Sequence, residues 1–207
     1  AAYADSEANP LYPVPKLMDK EALAQFIKGL MINVAFESEL SSYTGKIAWI
    51  DLSEHKVSDY PLRDEDRRRF LGGKGIAAKI LFDNLPADVL PFGPHNLIVI
   101  TTGPLSGTGA PTSGRFNIST VSPLTGLCVS SNSGGDFGFH MKKCGYDGLV
   151  IAGRAEKLTA IEITAEGEIN FHDAGHLQGK TTGETQAELK KPALVIGPAG
   201  ENKVLYA

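Results

Sequence analysis

Residues 46–62 read "KIAWIDLSEHKVSDYPL". The run "KIAWIDL" follows the two-residue period of a strand, "HKVSDYPL" follows two residues later, and "SEH" between them supplies turn residues, so the pair reads as a β-hairpin. From Gly45 onward the chain keeps this texture of short strands. Further strands are expected at "LIVITTG", "RFNISTVS", "GLCVSS", "GLVIAG", "LTAIEIT", "EINFHD", "ALVIG" and "KVLYA". Helices are expected in the second half of "RDEDRRRFLGGKGIAAKILFDNL", with Ile76, Ile80, Leu81 and Leu85 facing inward, and near Phe137–Cys144 and Glu184–Lys191. Many strands with few helices between them argue against regular βαβ winding. The fold class is α+β, with two largely antiparallel β-sheets and a few short helices.

Residues 1–44 differ. After a leader punctuated by Pro10, Pro13 and Pro15, apolar residues recur at Leu23, Phe26, Ile27, Leu30, Met31 and Val34, with Asp19 placed to cap the start. This is an N-terminal extension with one amphipathic helix. Its polar face carries few basic residues, which fits packing on protein better than lying on a membrane. The domain proper then spans 45–207. It opens the possibility of truncation at its C-terminal end, since "ENKVLYA" reads as a strand cut off without a cap.

The whole chain has 207 residues, 42% of them hydrophobic, enough for a real core. A formal charge of -4 and a pI near 5.7 remove the electrostatic footprint of a nucleic-acid binder. No apolar run approaches the length that spans a bilayer, and neither a membrane nor nucleic acid is an expected partner. Two cysteines, Cys128 and Cys144, are too few and too far apart for a disulfide framework or a zinc ribbon, so a reduced, cytoplasmic setting is expected. The charge run Asp64–Arg69 reads as a solvated face of mixed-sign pairs.

Two motifs imitate nucleotide sites. "DAGHLQGKTTGETQ", residues 173–186, places Gly-Lys-Thr before a helix, but a phosphate loop needs glycine five residues before Gly179, where Ala174 stands. Gly179 and Lys180 therefore read as a loop ahead of a helix that starts at Thr181 or Thr182. In "GGKGIAAK", Gly73, Gly75 and Ala78 match a dinucleotide fingerprint, yet the preceding "DEDRRRF" cannot be the buried parallel strand that motif follows. Lys74 remains as a cation on a tight, exposed turn. His172 and His176 are four apart, but strand-then-turn context makes their side chains diverge, and the histidines form no metal constellation.

The richest segment is Gly103–Gly138, "GPLSGTGAPTSGRFNISTVSPLTGLCVSSNSGGDFG". Its glycine and hydroxyl density, with Arg115 as its single cation, fits backbone brought close to a polar ligand. "SNSGG" ahead of "FGFHMKKC" has the parts of an anion-binding helix start. A glycine-rich loop with a capped helix and nothing bound is the other reading, and the residues alone leave both open.

In order and spacing, "GGKGIAAKIL", "NLIVITTGPLSGTGAPTSGRFNISTVSPLTGL", "SNSGGDFGFHMKKCGYDGLVIAGRAEK", "DAGHLQGK" and "IGPAGENKV" resemble the N-terminal domain of the aldehyde ferredoxin oxidoreductase family. The resemblance covers Gly45 to the end. It implies a domain on whose two sheets a tungsten, or molybdenum, bis-pterin cofactor rests beside a [4Fe–4S] cluster. It also implies oxidation of an aldehyde to a carboxylic acid, with electrons leaving to ferredoxin or an iron–sulfur electron-transfer subunit, and it leaves room for a homo-oligomer.

Carried onto matching positions, the resemblance makes Arg115 the arginine between pterin and cluster, and makes Asn132 and Gly134 neighbours of the pterin. The Asn132 backbone carbonyl would meet the Mg joining the pterin phosphates, with Ser133 and Gly135 in the same turn. The family's cluster cysteines, its proton-transfer carboxylate and histidine, and a second Gly- and Arg-rich pterin run have no match here. Cys128 and Cys144 do not fit the cluster spacing. No catalytic residue is assigned within the chain. Two rivals stand beside this reading: a family member with another substrate in a larger electron-transfer complex, and a non-catalytic binding or scaffold domain.

Overall fold

A computed structural model describes residues 42–206, and the amphipathic helix expected around Leu23–Val34 lies outside the described residues. The opening hairpin forms as β1 (Ile47–Asp51) and β2 (Lys56–Asp59), paired antiparallel. Its turn is closed by the Asp51 carboxylate, which accepts the backbone N–H groups of Ser53 (2.8 Å) and Glu54 (3.1 Å). The remaining strands are β3 (Ile98–Thr102), β4 (Phe116–Val121), β5 (Cys128–Ser133), β6 (Gly148–Ala152), β7 (Thr159–Ile163) and β8 (Ile169–Asp173). The helices are α1 (Asp64–Phe70), α2 (Lys74–Asn84), α3 (Phe137–Lys143), α4 (Thr182–Leu189) and α5 (Pro198–Glu201).

One sheet has six strands in the order β2-β1-β6-β3-β4-β5, and β7 pairs with β8 in a second. Only β1 and β6 run parallel; every other pairing among the described residues is antiparallel. This is the expected α+β fold.

The alternation of side chains explains the layering. Ile47, Val99 and Val150 point to one face, where they meet Ile76, Ala77, Ile80 and Leu81 of α2. Ala48, Ile50, Ile100 and Leu149 point to the other, where Phe116 and Met141 of α3 join them and the apolar side of β7–β8 packs on. Strands β1, β3 and β6 are thus covered on both faces, so that β1, expected to alternate, is instead apolar at four successive positions, Ile47 to Ile50. Each fully buried Ile or Val contributes about 1.5–3 kcal/mol relative to exposure. No helix among the described residues is long and apolar enough to cross a membrane.

Two expectations need correction. The charge run on α1 is not wholly solvated: Asp66 and Arg67 are buried. The Arg67 guanidinium donates to Asp64 (2.7 Å) and to the Gly45 carbonyl (2.8 Å), so the helix turns an arginine inward to hold the segment that leads into β1. The runs "ALVIG" and "KVLYA" are not strands. Residues 193–197 lack regular structure, and the N–H of Val204 folds back onto the Ala199 carbonyl (3.0 Å). A two-residue period becomes a strand only beside another ladder, and these runs have none among the described residues.

The start of the sheet is fixed by a buried ion pair. Lys142, at the end of α3, pairs with Asp147, just before β6, and also donates to the Ser42 carbonyl (3.1 Å). Asp147 in turn accepts the N–H groups of Thr44 (3.0 Å) and Gly45 (2.9 Å). Lys142→Met leaves a buried carboxylate without a counter-charge and should cost about 3 kcal/mol. Urea unfolding should show a lower midpoint at unchanged slope; an unchanged midpoint would mean that the pair is not part of the folded core.

Candidate cofactor-binding site

The motif residues of the glycine-rich segment meet because of strand register. In the β4–β5 pair, Phe116 lies opposite Ser133 and Asn117 opposite Asn132. Arg115, one residue before β4, is therefore level with Gly134, one residue after β5. A Cβ built on Gly114 would sit 3.6 Å from the Gly135 carbonyl oxygen. All five sequence-derived candidates, Arg115, Asn132, Ser133, Gly134 and Gly135, fall at one end of the six-stranded sheet, and all are exposed.

Other loops converge on the same end. Thr102, the last residue of β3, accepts the Gly73 N–H through its carbonyl (2.9 Å). The Thr101 hydroxyl donates to the Gly73 carbonyl (2.8 Å), so the "GGKG" turn is pinned over β3 and presents Lys74 exposed at the start of α2. Gly72 is obligatory there, since a Cβ would lie 2.6 Å from the Thr102 carbonyl oxygen. Loop 103–115 is cross-tied by Ser106, whose buried hydroxyl reaches the carbonyls of Ser113 (2.8 Å) and Arg115 (3.2 Å). That tie holds the backbone from which Arg115 projects.

The glycine density has two physical causes. Gly107 and Gly138 are needed by the chain itself, because added Cβ atoms would press on Lys142 at 2.9 Å and on Phe116 at 3.2 Å. At Gly103, Gly134 and Gly135 a Cβ would meet nothing within 4 Å. Gly135 has φ of 90°, which accounts for it conformationally. Gly103 and Gly134 have no such reason within the described residues, and their backbones stand open to an approaching group. The Arg115 guanidinium also lacks a partner among the described residues, so its donors are available.

Sequence reasoning missed Asn117 and Ser119, which lie on the same face as Asn132 and are both buried. The signal was present as polar residues at every second position of "RFNISTVS", on a face that a strand in the middle of a sheet would otherwise fill with apolar groups. The segment with the parts of an anion-binding helix start leads into a short helix. Helix α3 has only seven residues, and Asp136 stands at its N-cap position without a side-chain capping hydrogen bond.

Among the described residues no group of three His, Cys, Asp or Glu side chains is placed to hold a metal ion. His172 lies 3.0 Å from Glu162 and His176 lies 3.7 Å from Glu188, so the two histidines serve different carboxylates. Burial, with a smaller push from Glu166, raises the Cys144 thiol above its ordinary range, and Cys128 is exposed on β5.

The phosphate-loop imitation is occupied by carboxylates. The Gly179 N–H donates to Glu201 (3.1 and 3.0 Å to its two oxygens), and Lys180 pairs with Glu188. Thr181 caps α4 through a reciprocal box with Glu184. The backbone N–H of Thr181, then its hydroxyl, hold the Glu184 carboxyl below its usual range. Magnesium–ATP at millimolar concentration should leave the melting temperature unchanged in wild type and in Lys180→Ala alike; stabilisation lost in Lys180→Ala would overturn this assignment.

Comparison with known proteins identifies the family of the domain. The chain matches the family described as aldehyde ferredoxin oxidoreductase, N-terminal domain, over residues 47–207. It is 41% identical over 172 residues to a tungsten-containing aldehyde ferredoxin oxidoreductase of Pyrococcus furiosus, covering 79% of this chain and 28% of that protein. It is 33% identical over 190 residues to an aliphatic sulfonate oxidoreductase, WOR-like subunit, of the same organism, covering 80% of this chain and 30% of that one. Among solved structures, the active-site complex BamBC of benzoyl coenzyme A reductase with 1,5-dienoyl-CoA aligns with a TM-score of 0.74 and 36% identity, over 80% of this chain and 26% of that one. The chain thus spans under a third of the length of these relatives. It belongs to the aldehyde ferredoxin oxidoreductase family, of which residues 47–207 are the N-terminal domain.

Proposed function

We propose that the sheet end formed by Arg115 and Asn132–Gly135 is one wall of the site for a tungsten, or molybdenum, bis-pterin cofactor. The protein it serves would oxidise an aldehyde to a carboxylic acid and pass electrons to ferredoxin. The observation that carries this reading is the convergence of a free guanidinium with glycine backbone that has open space where a Cβ would stand. The donor chemistry fits the group: pterin phosphates and ring acceptors match N–H donors, and Arg115 offers five in a planar fork.

In this reading Arg115 binds and orients the pterin on the side of the [4Fe–4S] cluster. The Asn132 backbone carbonyl would offer an oxygen ligand to Mg at the pterin phosphates. Ser133, Gly134 and Gly135 let the cofactor approach the chain closely. The bound metal–pterin group supplies the two-electron redox chemistry, while this domain supplies binding, orientation and charge neutralisation. Cluster ligands and acid–base residues would come from outside this chain, since neither Cys128 nor Cys144 is placed among a metal-binding group.

A second reading keeps the cofactor and changes the substrate. It is favoured by the similarity to a sulfonate oxidoreductase subunit and to a benzoyl coenzyme A reductase complex, at identities close to that of the aldehyde enzyme. In that case the electron acceptor would be an iron–sulfur subunit of a larger assembly.

The test uses the full-length protein produced from its native gene. It should contain tungsten or molybdenum together with pterin, measured by elemental analysis and by fluorescence of the oxidised pterin. Arg115→Ala should retain about tenfold less pterin, the scale of one charge-assisted hydrogen bond. Active full-length protein containing neither metal would overturn the proposal. Turnover of aldehydes, set against sulfonates and aromatic thioesters, separates the two readings.

A further inference from the structure

Asn117 is 1% exposed, on the strand next to the edge strand β5, and both ends of its amide are partnered. Its Oδ1 accepts the Ser119 hydroxyl (2.7 Å). Its Nδ2 donates toward the Ser130 hydroxyl (2.7 Å), the Ser131 carbonyl (3.1 Å) and Oδ1 of Asn132 (3.2 Å). A buried amide without such partners would cost about 1–3 kcal/mol, so the arrangement is selected by energy as well as by shape.

The orientation of this amide has one solution. The Ser131 carbonyl can only accept, whereas the hydroxyls of Ser119 and Ser130 can donate or accept by rotating. Turning Asn117 over would set its oxygen against that carbonyl and against Oδ1 of Asn132. Its NH2 group therefore faces β5, where its two hydrogens are shared among the Ser130 hydroxyl, the Ser131 carbonyl and Oδ1 of Asn132. Gly73 closes the cluster from above, where an added Cβ would lie 3.9 Å from Cβ of Asn117.

We propose that Asn117 is a positioning residue for the cofactor site: it ties down the oxygen of the Asn132 side chain and so leaves the NH2 of that exposed amide for the ligand. The Asn132 side chain then presents donors only, which selects an acceptor-rich, anionic group such as a phosphate and disfavours a bare cation at that side chain. This inference rests on the reading of Arg115 and Asn132–Gly135 as cofactor contacts.

The test compares pterin retained by full-length protein in wild type, Asn117→Asp, Asn132→Ala and the double variant. Asn117→Asp keeps the shape but replaces the inward donor with an acceptor, so Asn132 should turn over and retention should fall about tenfold. If Asn117 acts through Asn132, the double variant retains no less than Asn132→Ala alone. If the two losses multiply, Asn117 is merely structural and the proposal fails. Should Asn117→Asp not fold, Asn132→Asp decides: it changes only an exposed side chain, puts an acceptor outward, and should retain less pterin than Asn132→Ala. Equal retention in wild type and Asn132→Asp overturns the proposal. Deuterium positions from neutron diffraction of the full-length protein separate this inference from the functional reading. Deuterium on the outward end of Asn132 supports the positioning even in a protein without pterin, and deuterium on the inward end refutes it even in a protein that holds one.

Discussion

The burial of β1, β6 and β3 on both faces constrains the rest of the domain. A strand whose two sides are covered, by α2 on one and by α3 with β7–β8 on the other, has no face left on which to present polar chemistry. Its backbone groups are spent on the ladder, and its side chains on packing. Chemistry can be displayed only at the ends and at the edge. The end where β3 stops, β4 starts and β5 stops is where the polar loops collect.

That end is held by polar groups that the sheet can bury because each is partnered. Lys142 and Asp147 neutralise each other while tying residues 42–45 to the start of β6. Ser106 gathers the 103–115 loop, and Thr101 and Thr102 hold the "GGKG" turn. These ties cost little when complete and much when broken, which makes the frame stiff beneath loops that are themselves rich in glycine. The tied part lies under the glycine-rich loops, the order that placement of a cofactor would require in the proposed reading.

The division of labour in a cofactor enzyme follows from this arrangement. In the proposed reading, a domain with a free arginine, open glycine backbone and oriented amides would bind and align the cofactor and would need no acid, base or nucleophile of its own. The short helix α3 serves the fold by burying Met141 and by carrying Lys142 to Asp147.

The fold class, the hairpin at residues 46–62, the inner face of α2 and the collection of motifs between Gly103 and Gly138 were legible because each depends on residues near one another in the chain. Strand period and glycine clustering are local signals. Arg67 could not be read as buried, because its partner is the Gly45 carbonyl, brought to it by the fold and not by the chain. Nor could residues 193–197 and 203–206 be read as irregular, since apolar alternation is the same whether or not a ladder lies beside it. Asn117 looked like one polar residue in a strand until register set it opposite Asn132. The sequence by itself determined which elements form and which residues are chemically suited to a polar ligand; only the tertiary structure decided which of them meet, because hydrogen-bond partners and burial depend on neighbours in space that strand pairing brings together.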